Sequence, residues 1–262
     1  QKLIRQHNLK DENGLQSYFI KKIEAFVNSK GKKIIGWDEI LEGGLAPNAT
    51  VMSWRGTEGA VEAAKEGHDV ILTPGSHAYF DHYQADLSDE PLAIGGFLPL
   101  KKVYSFNPIP EELTETEAKY VLGAQGNVWT EYMPTADKVE YMILPRMLAL
   151  SEVVWSNPKD KNYDDFVGRV EHFNTRLDAL EINYANHLYE IEGEMIVENG
   201  QSYLQLKSGA KNGQIRYTID EAKPTVSANV FEQKIPIDQN TTIKAAIFNE
   251  GKQLGKVFEQ KI

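Results

Sequence analysis

The chain has 262 residues, of which 41% are hydrophobic and 25% charged, a balance typical of a globular protein with one large domain or two smaller ones. Its formal net charge of -10 argues against a nucleic-acid partner, because phosphate contacts need a basic face. No apolar run approaches the roughly 18 residues of a membrane helix, and the lack of cysteine excludes disulfides and thiolate metal sites.

The first half of the chain alternates predicted helices and strands. Residues 15–30 form a predicted helix with its apolar side chains on one face, and Gly31 is expected to close it. A short alanine-rich helix is predicted at residues 58–66. The four predicted strands lie at residues 33–36, 50–53, 69–73 and 120–124. The alternation predicts right-handed βα units on a parallel sheet.

The rest of the chain contains an irregular segment, two further predicted helices and a region of alternating strands. Residues 74–117 have little periodicity and several prolines, which predicts a pocket-lining insertion. Residues 136–150 and 164–180 are predicted amphipathic helices, the first kinked by Pro145. From residue 184 to residue 262, alternating strand patterns are separated by Asn-Gly, Glu-Gly and proline signals, which predicts a small β-sandwich domain.

Each predicted strand of the sheet ends in aromatic or acidic side chains. Three of the four tryptophans follow strands directly, and a tyrosine and several carboxylates accompany them; the set is Trp37, Asp38, Glu39, Trp54, Tyr79, Asp81, Trp129 and Glu131. In a (β/α) barrel the carboxyl ends of the strands carry the active site. An indole face stacks on the C–H face of a sugar ring, while carboxylates and amides bind its hydroxyls. The pattern therefore predicts a sugar pocket.

Five sequence blocks are similar to the second half of the family 20 glycoside hydrolases, the β-N-acetylhexosaminidases. These blocks are residues 36–40, 51–56, 79–81, 123–131 and 144–146. The resemblance covers about residues 14–158. The tail, around residues 215–225, resembles the small β domain that follows the barrel in some relatives, although it has Asp220-Glu221 where those usually have Asp-Gly.

The resemblance implies a retaining mechanism in which the 2-acetamido oxygen of the substrate attacks the anomeric carbon. It implies that Tyr79 donates its hydroxyl to that oxygen and stabilises the oxazolinium intermediate. It implies further that the sugar pocket is walled by Trp37, Trp54 and Trp129, with Asp81 and Glu131 accepting sugar hydroxyls. No cofactor is implied, and the implied partners are glycans that contain N-acetylglucosamine or N-acetylgalactosamine.

One family feature is missing from this sequence. The general acid of the family is a Glu preceded by an Asp in a His-x-Gly-Gly-Asp-Glu block on the fourth barrel strand, and no such block occurs here. Asp38 and Glu39 are a weaker candidate pair, because they follow a different motif, one strand later than the acid. A carboxylate beside a pocket more often binds or supports than transfers protons.

The strand count leads to the same expectation. A complete barrel takes about 250 residues and eight strands, whereas four predicted strands precede the tail. We therefore expect an α/β fold with a partial (β/α)8 TIM barrel, its second half of about four βα units at residues 1–183, followed by an all-β sandwich at residues 184–262. Such a chain should be inactive alone, and its open sheet edges predict self-association or association with the missing half.

The start of the chain also points to a piece of a longer protein. The sequence opens with Gln1 rather than Met, and residues 1–13 are polar with no secretory pattern. We expect either that a leader has been removed or that the chain continues upstream. Export to the periplasm or the exterior is common among proteins of the resembled family, but no segment of this sequence indicates it.

Two further function classes stay open at this point. A non-catalytic carbohydrate-binding module would use the same tryptophans without chemistry, and a scaffold or interaction domain would act through the β tail. A metal site at His77, Asp81 and His82 is disfavoured, because the spacing matches no strong ligand pattern and loop histidines are more often solvated.

Overall fold

The computed structural model describes residues 1–85, 90–238 and 240–262. The chain forms two compact units, Gln1–Lys161 and Asn162–Ile262. Part of the predicted pocket-lining insertion, residues 86–89, lies outside the described residues.

The first unit contains a parallel sheet of short strands, of which the two central ones are mostly buried. Among the described residues its strands are β1 (Ile35–Trp37), β2 (Thr50–Ser53), β3 (Val70–Leu72) and β4 (Val121–Ala124). Each strand pairs in parallel with the next one along the chain, in the order β1-β2-β3-β4. Sequential parallel neighbours are the arrangement of a (β/α) barrel wall, so the predicted βα units are confirmed.

Helices connect and flank these strands. In the first unit they are α1 (Lys2–Gln6), α2 (Glu12–Ser29), α3 (Glu58–Lys65), α4 (Gly75–Ala78), α5 (Leu100–Tyr104), α6 (Ala136–Ile143) and α7 (Arg146–Trp155), with 3-10 turns at Asp38–Leu41, Glu117–Tyr120 and Pro158–Asp160. The predicted helix at residues 136–150 is in fact two helices. Pro145 lies at the break between α6 and α7, where it lacks the N–H that a continuous helix would need.

Helix α2 buries its polar side rather than its apolar one. Asp11 caps it by accepting a hydrogen bond from the Gly14 N–H at 3.0 Å. Glu24 is buried and accepts a hydrogen bond from the Asn48 N–H at 2.6 Å. Phe19 and Phe26, by contrast, are 59% and 63% exposed. The predicted helix is present, but among the described residues much of its apolar face is exposed.

The second unit combines one helix with two antiparallel sheets. Its elements are α8 (Tyr163–Ala179), a 3-10 turn at His187–Tyr189, β5 (Ile191–Glu198), β6 (Gln201–Ser208), β7 (Gln214–Thr218), β8 (Asn229–Val230), β9 (Ile235–Pro236), β10 (Thr242–Asn249) and β11 (Lys252–Lys261). The sheets have the strand orders β11-β10-β7-β8 and β5-β6-β9. A shared core that includes Leu204, Ile235, Ile243 and Ile247 is formed by strands of both sheets. The predicted β-sandwich is thereby confirmed.

Two tight turns of the second unit have the chemistry that the sequence indicated. Asn199 and Gly200 both have positive φ, as do Glu250 and Gly251. Such two-residue turns suit the twist of antiparallel hairpins, and they join β5 to β6 and β10 to β11. No helix among the described residues is long and apolar enough to cross a membrane.

Candidate active site

The candidate site lies at the carboxyl ends of β1 to β4, where strand pairing continues beyond the regular sheet. Tyr79, which follows β3 and α4, forms a parallel bridge with Asn127, which follows β4. The Phe80 N–H donates to the Asn127 carbonyl at 2.8 Å, and the Asn127 N–H donates to the Ala78 carbonyl at 2.7 Å. These backbone bonds hold two of the predicted site segments side by side.

Four of the predicted aromatic residues meet in two pairs at this edge. The ring centroids of Trp37 and Trp129 are 5.8 Å apart with the planes tilted by 43°. Those of Trp54 and Tyr79 are 6.2 Å apart with the planes at 30°. Trp129 is 41% exposed. An apolar wall of partly accessible aromatic faces is therefore present where the sequence predicted a sugar pocket.

Asp38 is fully engaged in holding the start of the loop after β2. It is 2% exposed and accepts hydrogen bonds from the backbone N–H groups of Trp54, at 3.0 Å, and Arg55, at 3.1 Å. The Arg55 side chain pairs with its other oxygen at 2.6 Å. The site uses this carboxylate as a fixed anchor, which leaves it little freedom for proton transfer.

Glu39 orients one of the indoles. Both of its carboxylate oxygens accept from the Trp54 indole N–H, at 3.1 and 3.2 Å. The hydrogen bond to a charged acceptor fixes the ring plane of Trp54 beside Tyr79. From the sequence, Glu39 is only a weak candidate acid. Its contact with an indole 15 positions along the chain is a relation that no local pattern reveals.

Tyr79 keeps its hydroxyl proton at neutral pH. Burial raises the pKa of the Tyr79 phenol, and the polar side-chain groups of Asn127 and Trp129 near it offset part of that rise. The nearby negative charges of Asp81 and Asp38 raise it further. The phenol is therefore a neutral O–H group that can donate a hydrogen bond to a ligand.

Asp81 is a buried carboxylate with spare hydrogen-bonding capacity. It is 6% exposed, and its Oδ1 atom has no hydrogen-bond partner among the described residues. Burial raises the pKa of the Asp81 carboxyl, the charge of Glu131 adds to the rise, and the positive charges of His82 and Arg146 oppose it. Glu131 itself is exposed. An unpartnered buried acceptor beside aromatic rings suits a ligand hydroxyl.

Arg146 holds the loop that carries Asp81. It is completely buried, and its guanidinium donates to the carbonyls of Phe80, Met142, His82 and Leu98, the last two at 3.1 and 3.0 Å. Burial lowers the pKa of the Arg146 guanidinium to about 9. The sequence placed Arg146 in a recognisable block but assigned it no role, since its partners are mostly backbone carbonyls more than 40 residues away.

The two loop histidines have separate partners. The ring of His77 stacks on Phe106 with centroids 5.2 Å apart, and burial lowers its pKa to about 4. The ring of His82 lies 5.7 Å from that of Tyr79. Within the described residues, no group of three or more His, Asp or Glu side chains is arranged to hold a metal ion.

Two family models match this chain. Residues 1–158 match the family model "Glycosyl hydrolase family 20, catalytic domain", and residues 197–259 match the "Chitobiase/beta-hexosaminidase C-terminal domain". The matches leave residues 159–196 between them, so the predicted domain boundary at residues 183 and 184 stays a prediction.

Individual relatives extend the similarity across both units. A beta-hexosaminidase of Porphyromonas gingivalis is 43% identical over 261 residues, which cover 98% of this chain and 34% of that protein. A beta-N-acetylhexosaminidase of Cellulomonas fimi is 35% identical over 152 residues, which cover 56% of this chain and 30% of that protein. The chain thus spans about a third of the length of these curated relatives.

A solved structure shows the same fold. The GH20 exo beta-N-acetylglucosaminidase from Vibrio harveyi, in complex with N-acetylglucosamine, is 29% identical with a TM-score of 0.65. The match covers 70% of this chain and 29% of that one. The predicted fold class and the predicted resemblance are both confirmed. With the matched model covering residues 1–158, the chain belongs to glycoside hydrolase family 20.

Proposed function

We propose that this chain supplies the second half of the catalytic barrel of a β-N-acetylhexosaminidase. The enzyme would hydrolyse terminal β-linked N-acetylglucosamine or N-acetylgalactosamine. The observation that carries the proposal is the meeting of a neutral phenol, two aromatic pairs and a buried carboxylate with an unpartnered oxygen at one edge of the sheet. Apolar faces and a few placed polar groups are what a pyranose needs.

The proposed reaction uses the substrate as its own nucleophile. The acetamido oxygen bonds to the anomeric carbon while the glycosidic C–O bond breaks, and water later opens the oxazolinium ion with retention. Tyr79 donates its hydroxyl proton in a hydrogen bond to the acetamido oxygen and so orients it. The high pKa of this phenol keeps the proton in place through the cycle.

The remaining site residues bind the sugar in this proposal. Trp37, Trp54 and Trp129 pack on the acetamido group and the sugar face, and they exclude water from the developing charge. Asp81 accepts a sugar hydroxyl through its unpartnered Oδ1 atom, and Glu131 accepts a second one from its exposed position.

The proton donor is proposed to lie outside this chain. Asp38 and Glu39 are held by Arg55 and Trp54, and the sequence has no His-x-Gly-Gly-Asp-Glu block. We therefore propose that the 262 residues bind the sugar without hydrolysing it, which is also how a non-catalytic binding module would behave. Joining the chain to the proposed first half of the barrel distinguishes these two functions. A half-barrel would then gain turnover, whereas a binding module would not.

The test is hydrolysis of a chromogenic β-N-acetylglucosaminide by the 262-residue chain, with circular dichroism to confirm folding. We expect no turnover above background at high protein concentration. Turnover that disappears in Glu39→Gln or Glu131→Gln would show that the chain carries its own proton donor.

We propose also that the chain associates with itself when the rest of the barrel is missing. The exposed faces of Phe19 and Phe26 on α2 are apolar surface that would stay open to water in a monomer. Light scattering should show a mass above 29.5 kDa that falls towards this value in a Phe19→Ser, Phe26→Ser double variant. A monomer at all concentrations would contradict this proposal.

A further inference from the structure

The second unit contains a cleft with no role in the chemistry proposed above. Its volume is about 670 Å³, within the range of small-molecule sites. The carboxyl-terminal half of α8 forms one wall, residues 184–189 a second, and the turn between β10 and β11 a third. All of its lining residues belong to this unit, so the cleft is complete without the barrel edge.

Two of the carboxylates in the cleft are already paired. Glu171 accepts hydrogen bonds from the Lys211 N–H at 3.0 Å and from the Asn212 side-chain amide at 2.8 Å. Asp178 accepts from the Tyr184 hydroxyl at 2.9 Å and pairs with the Lys252 ammonium at 3.1 Å. Glu250 adds another negative charge to the lining, which disfavours an anionic ligand.

The groups left for recognition are neutral amides and hydroxyls. The side chains of Asn186 and Asn249 line the cleft and are exposed. Asn174 is 3% exposed, and its Oδ1 atom has no hydrogen-bond partner among the described residues. Leaving a buried hydrogen-bond acceptor without a partner costs free energy, so a ligand or water that donates to Asn174 Oδ1 stabilises the site.

Apolar contacts accompany these polar groups. The rings of Tyr184 and Tyr189 and the side chain of Leu254 lie in the lining. Gly255 allows the chain to pass close to Tyr189, because a Cβ atom at this position of positive φ would lie 2.8 Å from the Tyr189 carbonyl oxygen. Tyr184, which is partly exposed, can present its ring to the C–H side of a sugar, whereas Tyr189 is 5% exposed and belongs to the hydrophobic core of the unit.

We infer that this cleft binds a neutral saccharide built of N-acetylhexosamine units, as a second glycan site in addition to the one proposed on the barrel edge. The amides of Asn186 and Asn249 pair with sugar hydroxyls, Asn174 accepts from a hydroxyl or an acetamido N–H, and Leu254 takes the acetamido methyl. The choice of N-acetylhexosamine over other neutral sugars rests on the proposed function.

The test is titration of the ¹⁵N-labelled 262-residue chain with tri-N-acetylchitotriose, followed by amide chemical shifts. We expect saturable shifts in α8 and at the β10–β11 turn. An Asn186→Ala, Asn249→Ala double variant should weaken this binding at least tenfold, whereas Gln233→Ala, an exposed amide of the same unit outside the cleft, should leave it unchanged.

A Trp129→Ala variant separates this inference from the proposed function. Loss of shifts around the barrel edge with intact shifts in α8 supports two sites. Shifts confined to α8 in the unaltered chain would support the cleft while contradicting a sugar pocket on the barrel edge. Absence of shifts in α8, or equal affinity in the Asn186→Ala, Asn249→Ala variant, would overturn the inference.

Discussion

Glu39 acts on the candidate site through the indole of Trp54. Its two oxygens fix the Trp54 indole N–H, and Trp54 in turn stacks beside Tyr79. Asp38, its neighbour, anchors the backbone of the same loop. The Asp-Glu pair thus builds the wall of the site, and we regard Glu39 as a positioning residue.

Removing this contact should loosen the pocket. In Glu39→Ala, Trp54 loses its acceptor, and we expect affinity for N-acetylglucosamine to fall about tenfold, the scale of one charged hydrogen bond. Glu39→Gln keeps an amide oxygen that can accept from the indole and should retain most of the affinity. Tryptophan fluorescence titration measures both. Equal losses in the two variants would mean that the charge of Glu39, and not its hydrogen bond, matters.

The ionised Asp81 carboxylate is expected to lower the stability of the fold while it contributes to sugar binding. Burial raises the pKa of the Asp81 carboxyl, so the folded state binds this proton more tightly than the unfolded state does. The stability that the neutral carboxyl contributes is therefore lost as the pH rises through the folded-state pKa. Asp81→Asn should therefore raise the melting temperature at pH 7 while weakening sugar binding.

The pH dependence provides the control for Asp81. At a pH below the ordinary aspartate value of about 3.9, the carboxyl is neutral in both states, and the advantage of Asp81→Asn should vanish. Calorimetry at pH 7 and at acid pH measures the difference. A variant that is less stable than the parent at pH 7 would show that the ionised carboxylate stabilises the fold.

At the scale of elements, α7 organises the loop after β3 through a single side chain. Arg146 occupies the first residue of α7 and donates to carbonyls of the segments around residues 80–82 and 98. The loop that carries Tyr79 and Asp81 is thereby tied to a helix that contributes no group to the site itself.

Truncation of this arginine should be costly. Arg146→Ala would leave several buried carbonyls unpaired and a cavity in their midst, and we expect at least about 3 kcal/mol of lost stability in urea unfolding. Arg5→Ala, which removes an exposed arginine of the same unit, is the matched control and should cost little. A loss below about 1 kcal/mol for Arg146→Ala would mean that water replaces the guanidinium.

Local sequence patterns predicted where helices, strands and turns lie better than they predicted which segments these elements contact. The strands β1 to β4 were visible because short apolar runs recur between helices, and the turns at Gly200 and Gly251 because those positions need positive φ. The orientation of α2 was not predictable, since its buried Glu24 bonds to a loop 24 positions away. The helix predicted at residues 136–150 was expected to kink at Pro145, and the structure instead breaks it there into two helices.

The residues of the candidate site also fall into those that the sequence predicted and those that it did not. Trp37, Trp54, Tyr79 and Trp129 could be found because each lies at the end of a strand or in the segment after it, and parallel strands bring their ends to one edge. Asn127 was hidden because its role depends on a bridge to Tyr79 across the sheet. Contacts that join distant segments leave no trace in sequence spacing.

At the scale of the whole molecule, the chain combines a barrel wall with four described strands and a β-sandwich unit, over about a third of the length of its curated relatives. The wall carries the aromatic pairs and the buried Asp81 carboxylate on which the proposed function rests. In that proposal Tyr79 acts within a larger enzyme, and the proton donor lies outside this chain.

The most direct measurement is the kcat of Tyr79→Phe in the whole enzyme proposed above, in which a first barrel half completes this chain. The substitution keeps the ring against Trp54 and removes only the donor, so we predict a fall of about 100-fold or more. Tyr132→Phe, on the exposed loop after β4, should leave kcat unchanged. A Tyr79→Phe enzyme with the kcat of the parent would contradict the assignment of this sheet edge as the site of catalysis.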